Sequence, residues 1–109
     1  MSDQSEFRAT SMAEGFASRT VIVTNPEGLH ARPAYMFVEL ASKYQAQIEV
    51  IKDSERIDGK SILSILTLGA EQGTELSLEA TGPDADDALA ELARLFEQGF
   101  PAHNNGKES

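Results

Sequence analysis

The pattern of apolar residues predicts an α+β fold, an open-faced sandwich in which four short strands are covered on one face by three helices. Three observations support this class. The chain has 109 residues, enough for one compact domain. Its strand-like segments leave one face polar, most clearly in Glu75–Thr81, where apolar and polar residues alternate. Helix-like segments interrupt the strands and can cover the other face. The expected order is β-α-β-β-α-β-α.

The first half of the chain supplies three strands and one helix. Arg19–Thr24 is rich in β-branched residues and predicts the first strand. Apolar residues at helical spacing predict a helix over Ala31–Tyr44. Gln47–Ile51 and Arg56–Asp58 then predict two strands joined by a polar hairpin turn, Lys52–Glu55.

The second half predicts a helix, a strand and a helix. The short apolar run Ile62–Leu68 follows Ser61 and precedes Gly69, which favours a short helix with a serine N-cap and a glycine stop. Glu75–Thr81 is the fourth strand. The last helix spans about Asp84–Gln98, with an apolar stripe and acidic residues at its positive end. We expect those acidic residues to be helix-start charges, with no metal site.

Composition excludes several functional classes. The chain has no cysteine, so it forms neither a disulfide framework nor a thiolate zinc site. The formal charge of −9 opposes binding to nucleic acid or to an anionic membrane, and no apolar run approaches membrane-spanning length. We expect a cytoplasmic protein without a cofactor. Residues 1–18 and 101–109 are polar and are predicted to be a flexible N-terminal extension and a flexible C-terminal tail around a domain of residues 19–100.

One of the two histidines, His30, lies in the turn between the first strand and the first helix. Pro33 fits only the first turn of a helix, because its missing N–H would be unpaired there anyway. His30 is therefore expected near the helix N-cap, with Arg32 inside the first turn. Free amides, the positive end of the helix dipole and a guanidinium can together hold an anion beside a neutral imidazole. The stretch predicts a phosphate-accepting histidine.

The sequence Gly-Leu-His-Ala-Arg-Pro-Ala, residues 28–34, resembles the active-site motif of HPr, the histidine-containing phosphocarrier of the bacterial phosphoenolpyruvate-dependent phosphotransferase system. Residues 58–70 resemble the regulatory-serine segment of the same family. The similarity covers residues 19–100, and the two motifs at this spacing are more specific than either alone. The resemblance implies the HPr fold, with an antiparallel sheet.

The resemblance also implies a function and its residues. His30 would accept a phosphoryl group at Nδ1 from Enzyme I and pass it to enzyme IIA-type components, acting as a phosphohistidine carrier in sugar transport rather than as a stand-alone enzyme. Arg32 would stabilise the phosphate. Ser61 would be a regulatory phosphoserine if an HPr kinase/phosphorylase is present. Exposed apolar residues of the short helix dock partners in this family, so Ile62, Leu63 and Leu66 are the expected contacts.

Two alternatives stay open at this level. One is a regulatory binding protein of the same fold that is controlled at Ser61. The other is a nitrogen-type phosphotransferase carrier that signals without sugar transport. The presence of both His30 and Arg32 argues against a purely regulatory role.

Overall fold

The computed structural model describes residues 15–101. The described residues form four strands and three helices in the predicted order β-α-β-β-α-β-α. They are β1 (Phe16–Ile22), α1 (Ala31–Ala41), β2 (Gln47–Lys52), β3 (Glu55–Asp58), α2 (Ile62–Thr67), β4 (Glu75–Thr81) and α3 (Ala85–Glu97).

The strands form one antiparallel sheet in the order β1-β4-β2-β3. Strand β4, the last in sequence, lies between the first two strands and pairs with β1 on one side and with β2 on the other. Its alternation is the one predicted: Leu76, Leu78 and Ala80 are buried, whereas Glu75 and Thr81 are exposed. The open-faced α+β sandwich is confirmed.

The core lies between one face of the sheet and the helices. From α1 it receives Pro33, Ala34, Phe37 and Ala41, which recur at helical spacing. The other largest fully buried side chains come from the sheet, α2, α3 and the chain just after β1 and α3: Val23, Ile48, Val50, Ile65, Leu76, Leu78, Leu89, Leu92, Phe96 and Phe100. Within residues 15–101, no helix is both long and apolar enough to cross a membrane.

The first described strand begins earlier than the sequence predicted. Strand β1 starts at Phe16 rather than Arg19, because Phe16, Ala17 and Ser18 pair with the end of β4. Pairing with a long neighbour extends the strand through residues with little strand propensity of their own. The predicted start of this strand was therefore three residues too late. The rest of the predicted extension, residues 1–14, and residues 102–109 of the predicted tail lie outside the described part.

Smaller differences occur at other element ends. Strand β1 ends at Ile22 rather than Thr24, although the Val23 N–H still donates to the Thr74 carbonyl at 2.9 Å. Helix α1 ends at Ala41 rather than Tyr44, where i→i+3 hydrogen bonds replace the helical pattern. The hairpin turn narrows to residues 53–54, and Asp53 has a left-handed φ of 57°. Aspartate tolerates that conformation better than most residues.

Asp84 joins the start of α3 to the loop that precedes β2. It is the N-cap residue, but its side chain caps no helical N–H. Its two carboxylate oxygens instead accept the N–H groups of Gln45 and Ala46, each at 2.8 Å. The hydrogen bond from Gln45 is the largest cause that lowers the pKa of Asp84, followed by that from Ala46. The sequence had predicted only a helix-start charge.

Replacement of Asp84 by asparagine should therefore lower stability in a pH-dependent way. A carboxyl group whose pKa is depressed by folding stabilises the protein above its unfolded pKa and loses that contribution as pH falls through the folded value. We expect Asp84→Asn to melt below the parent at pH 7, with the gap closing below about pH 4. Thermal melts across this range measure it. Asp86→Asn removes the same charge two residues later, in the first turn of α3. It should lose less stability, because only a favourable charge at the helix end is removed. Equal losses in the two variants would contradict the role given to Asp84.

Candidate functional site

His30 is the N-cap residue of α1, as predicted. Its backbone is extended, and its carbonyl accepts the Ala34 N–H at 2.9 Å. The side chain is exposed and forms no capping hydrogen bond. The N–H groups of Ala31 and Arg32 lie in the first turn, where the helix offers them no carbonyl, and Pro33 has none to offer. An accessible imidazole and amides that no carbonyl of the helix satisfies thus lie together at the positive end of the helix.

Two loops joined by backbone hydrogen bonds support His30. The Leu29 N–H donates to the Ala70 carbonyl at 2.9 Å, and the Gly73 N–H donates to the Val23 carbonyl at 2.7 Å. Gly28 has a φ of 72°, and a Cβ there would lie 2.6 Å from the Ala70 oxygen. Only glycine accommodates both the conformation and the contact. The loop before α1 is therefore fixed against the loop after α2.

Asn25 and Glu27 shape the same turn. Asn25 is buried, and its Nδ2 donates to the Gly28 carbonyl at 2.8 Å and to Glu27 Oε1 at 3.4 Å. Glu27 is exposed. The pKa of its carboxyl group is lowered, first by a hydrogen bond to its own backbone N–H, then by that from Asn25, with smaller contributions from the charges of Arg32 and His30. Glu27 is thus an ionised carboxylate that lies close to Arg32 and His30.

A cleft of about 220 Å³ opens beside His30. It is bounded by the two joined loops and the end of α2, and its lining is Glu27, Leu29, His30, Leu66, Gly69, Ala70 and Glu71. A larger hollow of about 460 Å³ lies near β2 and β3 and includes neither His30 nor Arg32. The guanidinium of Arg56, which lines this hollow, is neutralised by two carboxylates: its Nη1 lies 2.6 Å from Oε1 of Glu49 and from Oε1 of Glu79. The smaller cleft is therefore the candidate site.

Arg32 lies in the first turn of α1, as predicted, and its guanidinium contacts the chain that follows α3. Its Nη1 donates to the Phe100 carbonyl at 2.9 Å and lies 3.4 Å from the Pro101 carbonyl. The same nitrogen lies 3.2 Å from Met36 Sδ. The Arg32 side chain thus connects the start of α1 to the chain that follows α3.

The sequence analysis treated Phe100 only as the last residue of the domain and did not predict its contact with Arg32. Helix α3 ends in a Schellman motif, in which the Phe100 N–H donates to the Leu95 carbonyl at 2.9 Å and the Gly99 N–H to the Phe96 carbonyl at 3.1 Å. The signal was available: a glycine after the helix followed by an apolar residue is typical of this motif. Phe100 is buried against Phe96, with ring centroids 4.9 Å apart.

Helix α2 carries the predicted regulatory and contact residues. Ser61 is its N-cap, and its Oγ accepts the Ser64 N–H at 3.2 Å. Leu63 is 76% exposed and Leu66 37%, whereas Ile62 is partly buried. Leu66 also lines the cleft beside His30. Among the described residues no group of three or more acidic, histidine or cysteine side chains is arranged to hold a metal ion.

Comparison with known proteins gives concordant matches. Residues 17–98 match a family model described as the PTS HPr component phosphorylation site. The chain is 40% identical over 82 residues to phosphocarrier protein HPr of Treponema pallidum (strain Nichols), covering 75% of this chain and 93% of the relative. It is 36% identical over 83 residues to phosphocarrier protein NPr of Escherichia coli (strain K12), covering 75% and 92%. A crystal structure of HPr from Thermoanaerobacter tengcongensis has a TM-score of 0.75 and 43% identity, covering 77% of this chain and 94% of that one.

Proposed function

Because this chain belongs to the HPr family and is a phosphocarrier of the phosphotransferase system, we propose that His30 is the residue that carries the phosphoryl group. Its partners are proteins of that system. Within them, we propose that phosphorylated Enzyme I is the donor and that IIA-type components are the acceptors, in the cytoplasm.

One observation carries the assignment to His30: an exposed imidazole without a capping hydrogen bond stands at the N-terminus of an eleven-residue helix. Nδ1 attacks the phosphorus atom, and the bond from phosphorus to the donor's histidine nitrogen breaks as the new bond forms. Such a loose transition state requires alignment and neutralisation of charge on the phosphoryl oxygens. The first-turn amides and the guanidinium of Arg32 supply that charge.

Transfer of label from phosphoenolpyruvate tests the proposal. The protein is incubated with Enzyme I and labelled phosphoenolpyruvate, and the label is mapped to a peptide by mass spectrometry. We expect one acid-labile, base-stable phosphoryl group on the peptide that contains His30. Label on the peptide that contains His103, the other histidine, or an acid-stable label on a serine would contradict the assignment.

The same phosphorylated protein identifies the downstream route. Relatives named HPr and NPr match at similar identity, 40% and 36%. We expect the phosphorylated carrier to transfer its label to a sugar-specific IIA component. Preferred transfer to a nitrogen-type acceptor would support the signalling alternative instead.

Glu27 should oppose phosphorylation of its neighbour. Its carboxyl group is ionised at neutral pH, since its pKa is lowered, and it lines the cleft beside His30. Repulsion between this carboxylate and the phosphoryl oxygens falls in the Glu27→Gln variant, so we expect the equilibrium with phosphorylated Enzyme I to shift toward the carrier by about three- to tenfold. Quantifying phosphohistidine at fixed phosphoenolpyruvate and pyruvate measures it. Glu39→Gln, on an exposed position of α1, is the control of equal charge; an equal shift there would show a general charge effect.

We further propose that Ser61 regulates docking through the surface formed by Ile62, Leu63 and Leu66. Phosphorylation by an HPr kinase/phosphorylase would place nearly two negative charges at the start of α2, next to the exposed Leu63. We expect Ser61→Asp to accept the phosphoryl group from phosphorylated Enzyme I about tenfold more slowly, because the added charge changes the electrostatic steering of the two proteins. Ser61→Asn, a neutral residue that also caps helices well, should react at the parent rate. Equal rates for the two variants would contradict regulation by charge at this position.

A further inference from the structure

The turn that follows α3 holds the guanidinium of Arg32. Three contacts use its Nη1: the Phe100 carbonyl at 2.9 Å, the Pro101 carbonyl at 3.4 Å and Met36 Sδ at 3.2 Å. An arginine side chain has five N–H donors arranged as a planar fork. Nε and Nη2 have no hydrogen bond to any other described residue. The contacts of Nη1 therefore restrain the guanidinium and leave Nε and Nη2 as donors for a phosphoryl group.

The position of these carbonyls depends on Phe100. Gly99 and Phe100 both have left-handed backbones, with φ of 72° and 53°, so the chain reverses sharply after the helix. A phenylalanine rarely adopts this conformation, and packing has to maintain it. The ring is 1% exposed and contacts Phe96, which in turn packs against Phe37 of α1 with ring centroids 6.0 Å apart. This aromatic cluster, Phe37, Phe96 and Phe100, fixes the turn relative to the helix that carries His30 and Arg32.

A second contact connects the same turn to the loop before His30. The Thr24 hydroxyl donates to the Phe96 carbonyl at 2.9 Å. The end of α3 is thus attached both to the chain that leads to His30 and to the side chain of Arg32. The two parts of the site are held by one structural element.

We propose that Phe100 is a positioning residue for phosphoryl transfer: its buried ring fixes the turn, and its carbonyl holds the Arg32 guanidinium ready for the phosphoryl oxygens. This inference rests on the proposed function of His30 and Arg32. It adds a residue that touches neither the imidazole nor the phosphoryl group and acts through Arg32. A misplacement of about 1 Å in such a site can cost about a hundredfold in rate.

Two variants separate the ring from the backbone. Phe100→Gly removes the ring but favours the left-handed conformation, whereas Phe100→Leu retains a buried apolar side chain. In single-turnover transfer from phosphorylated Enzyme I, we expect Phe100→Gly to be slower by about tenfold or more and Phe100→Leu to recover part of the loss. Leu92→Ala, a fully buried site of α3, is the control for lost stability and should transfer at the parent rate wherever it is folded by circular dichroism.

A double-mutant cycle with Arg32→Ala decides whether Phe100 acts through the guanidinium. We expect Phe100→Gly to cause no further slowing once Arg32 is alanine. An equal slowing with and without Arg32, or a parent rate for Phe100→Gly, would overturn the proposal.

Nuclear magnetic resonance of the unphosphorylated protein supplies a readout that does not depend on transfer. We expect the guanidinium of Arg32 to rotate faster in Phe100→Gly than in the parent. If the parent accepts no phosphoryl group, the proposed function fails, while this measurement still tests the hold on Arg32. If transfer to His30 occurs and the guanidinium is equally ordered in both proteins, only the positioning role fails.

Discussion

His30→Ala should abolish phosphoryl transfer while leaving the fold intact. Without the imidazole the cleft loses the nitrogen nucleophile that accepts the phosphoryl group, so we expect acceptance from phosphorylated Enzyme I to fall by about a thousandfold or more. The fold should tolerate the change, because the side chain is exposed and forms no capping hydrogen bond. The expected loss of stability is about 0.5 kcal/mol or less, as for most surface substitutions. Labelled phosphoenolpyruvate and a thermal melt measure the two effects.

The second histidine supplies the matched control. His103→Ala removes the same chemical group and should accept the label at the parent rate. Retention of label by His30→Ala, together with its loss in His103→Ala, would reverse the assignment. Loss of label in His30→Ala through unfolding is excluded if its melting temperature matches that of the parent.

Features determined by local sequence were predicted well. The alternation in β4 directly reports which side chains are buried, because successive residues of a strand face opposite sides. Pro33 placed the start of α1 within one residue of its observed position, since the ring excludes most helix sites other than the first turn. Ser61 was identified as an N-cap for the same kind of local reason. The position of His30 followed from these rules without any tertiary information.

Features that depend on distant contacts were not predicted. Strand β1 extends to Phe16 only because β4 pairs with it there. The carboxylate of Asp84 binds backbone groups 38 and 39 residues away in sequence, and Arg32 reaches a carbonyl 68 residues away. A single sequence contains no local signal for such pairs. The turn after α3 had a local signal in Gly99 and Phe100, but its relation to Arg32 required the assembled fold.

Gly28→Ala should combine a large loss of stability with a large loss of transfer. A left-handed φ of 72° costs a non-glycine residue about 1–2 kcal/mol. The added Cβ would also lie 2.6 Å from the Ala70 oxygen and 3.0 Å from the Glu71 Cα, so the two loops have to separate. Overpacking of this kind typically adds about 1–3 kcal/mol. We expect a total loss of about 2–5 kcal/mol in the free energy of unfolding, measured by urea denaturation.

Separation of the two loops should also slow phosphoryl transfer, because the contact between them directly precedes His30 in the chain. The Ala70 carbonyl accepts the Leu29 N–H at 2.9 Å, and movement of this pair displaces the imidazole from the first-turn amides. We expect transfer by the folded fraction to slow by about a hundredfold. Gly73→Ala is the control, since Gly73 has a φ of 92° but nothing within 4 Å of an added Cβ. It should lose stability from backbone strain alone and transfer normally once folded. If the two variants were equally stable and equally active, contact between the loops would not position His30. The glycine at position 28 would then be needed only for its left-handed backbone conformation.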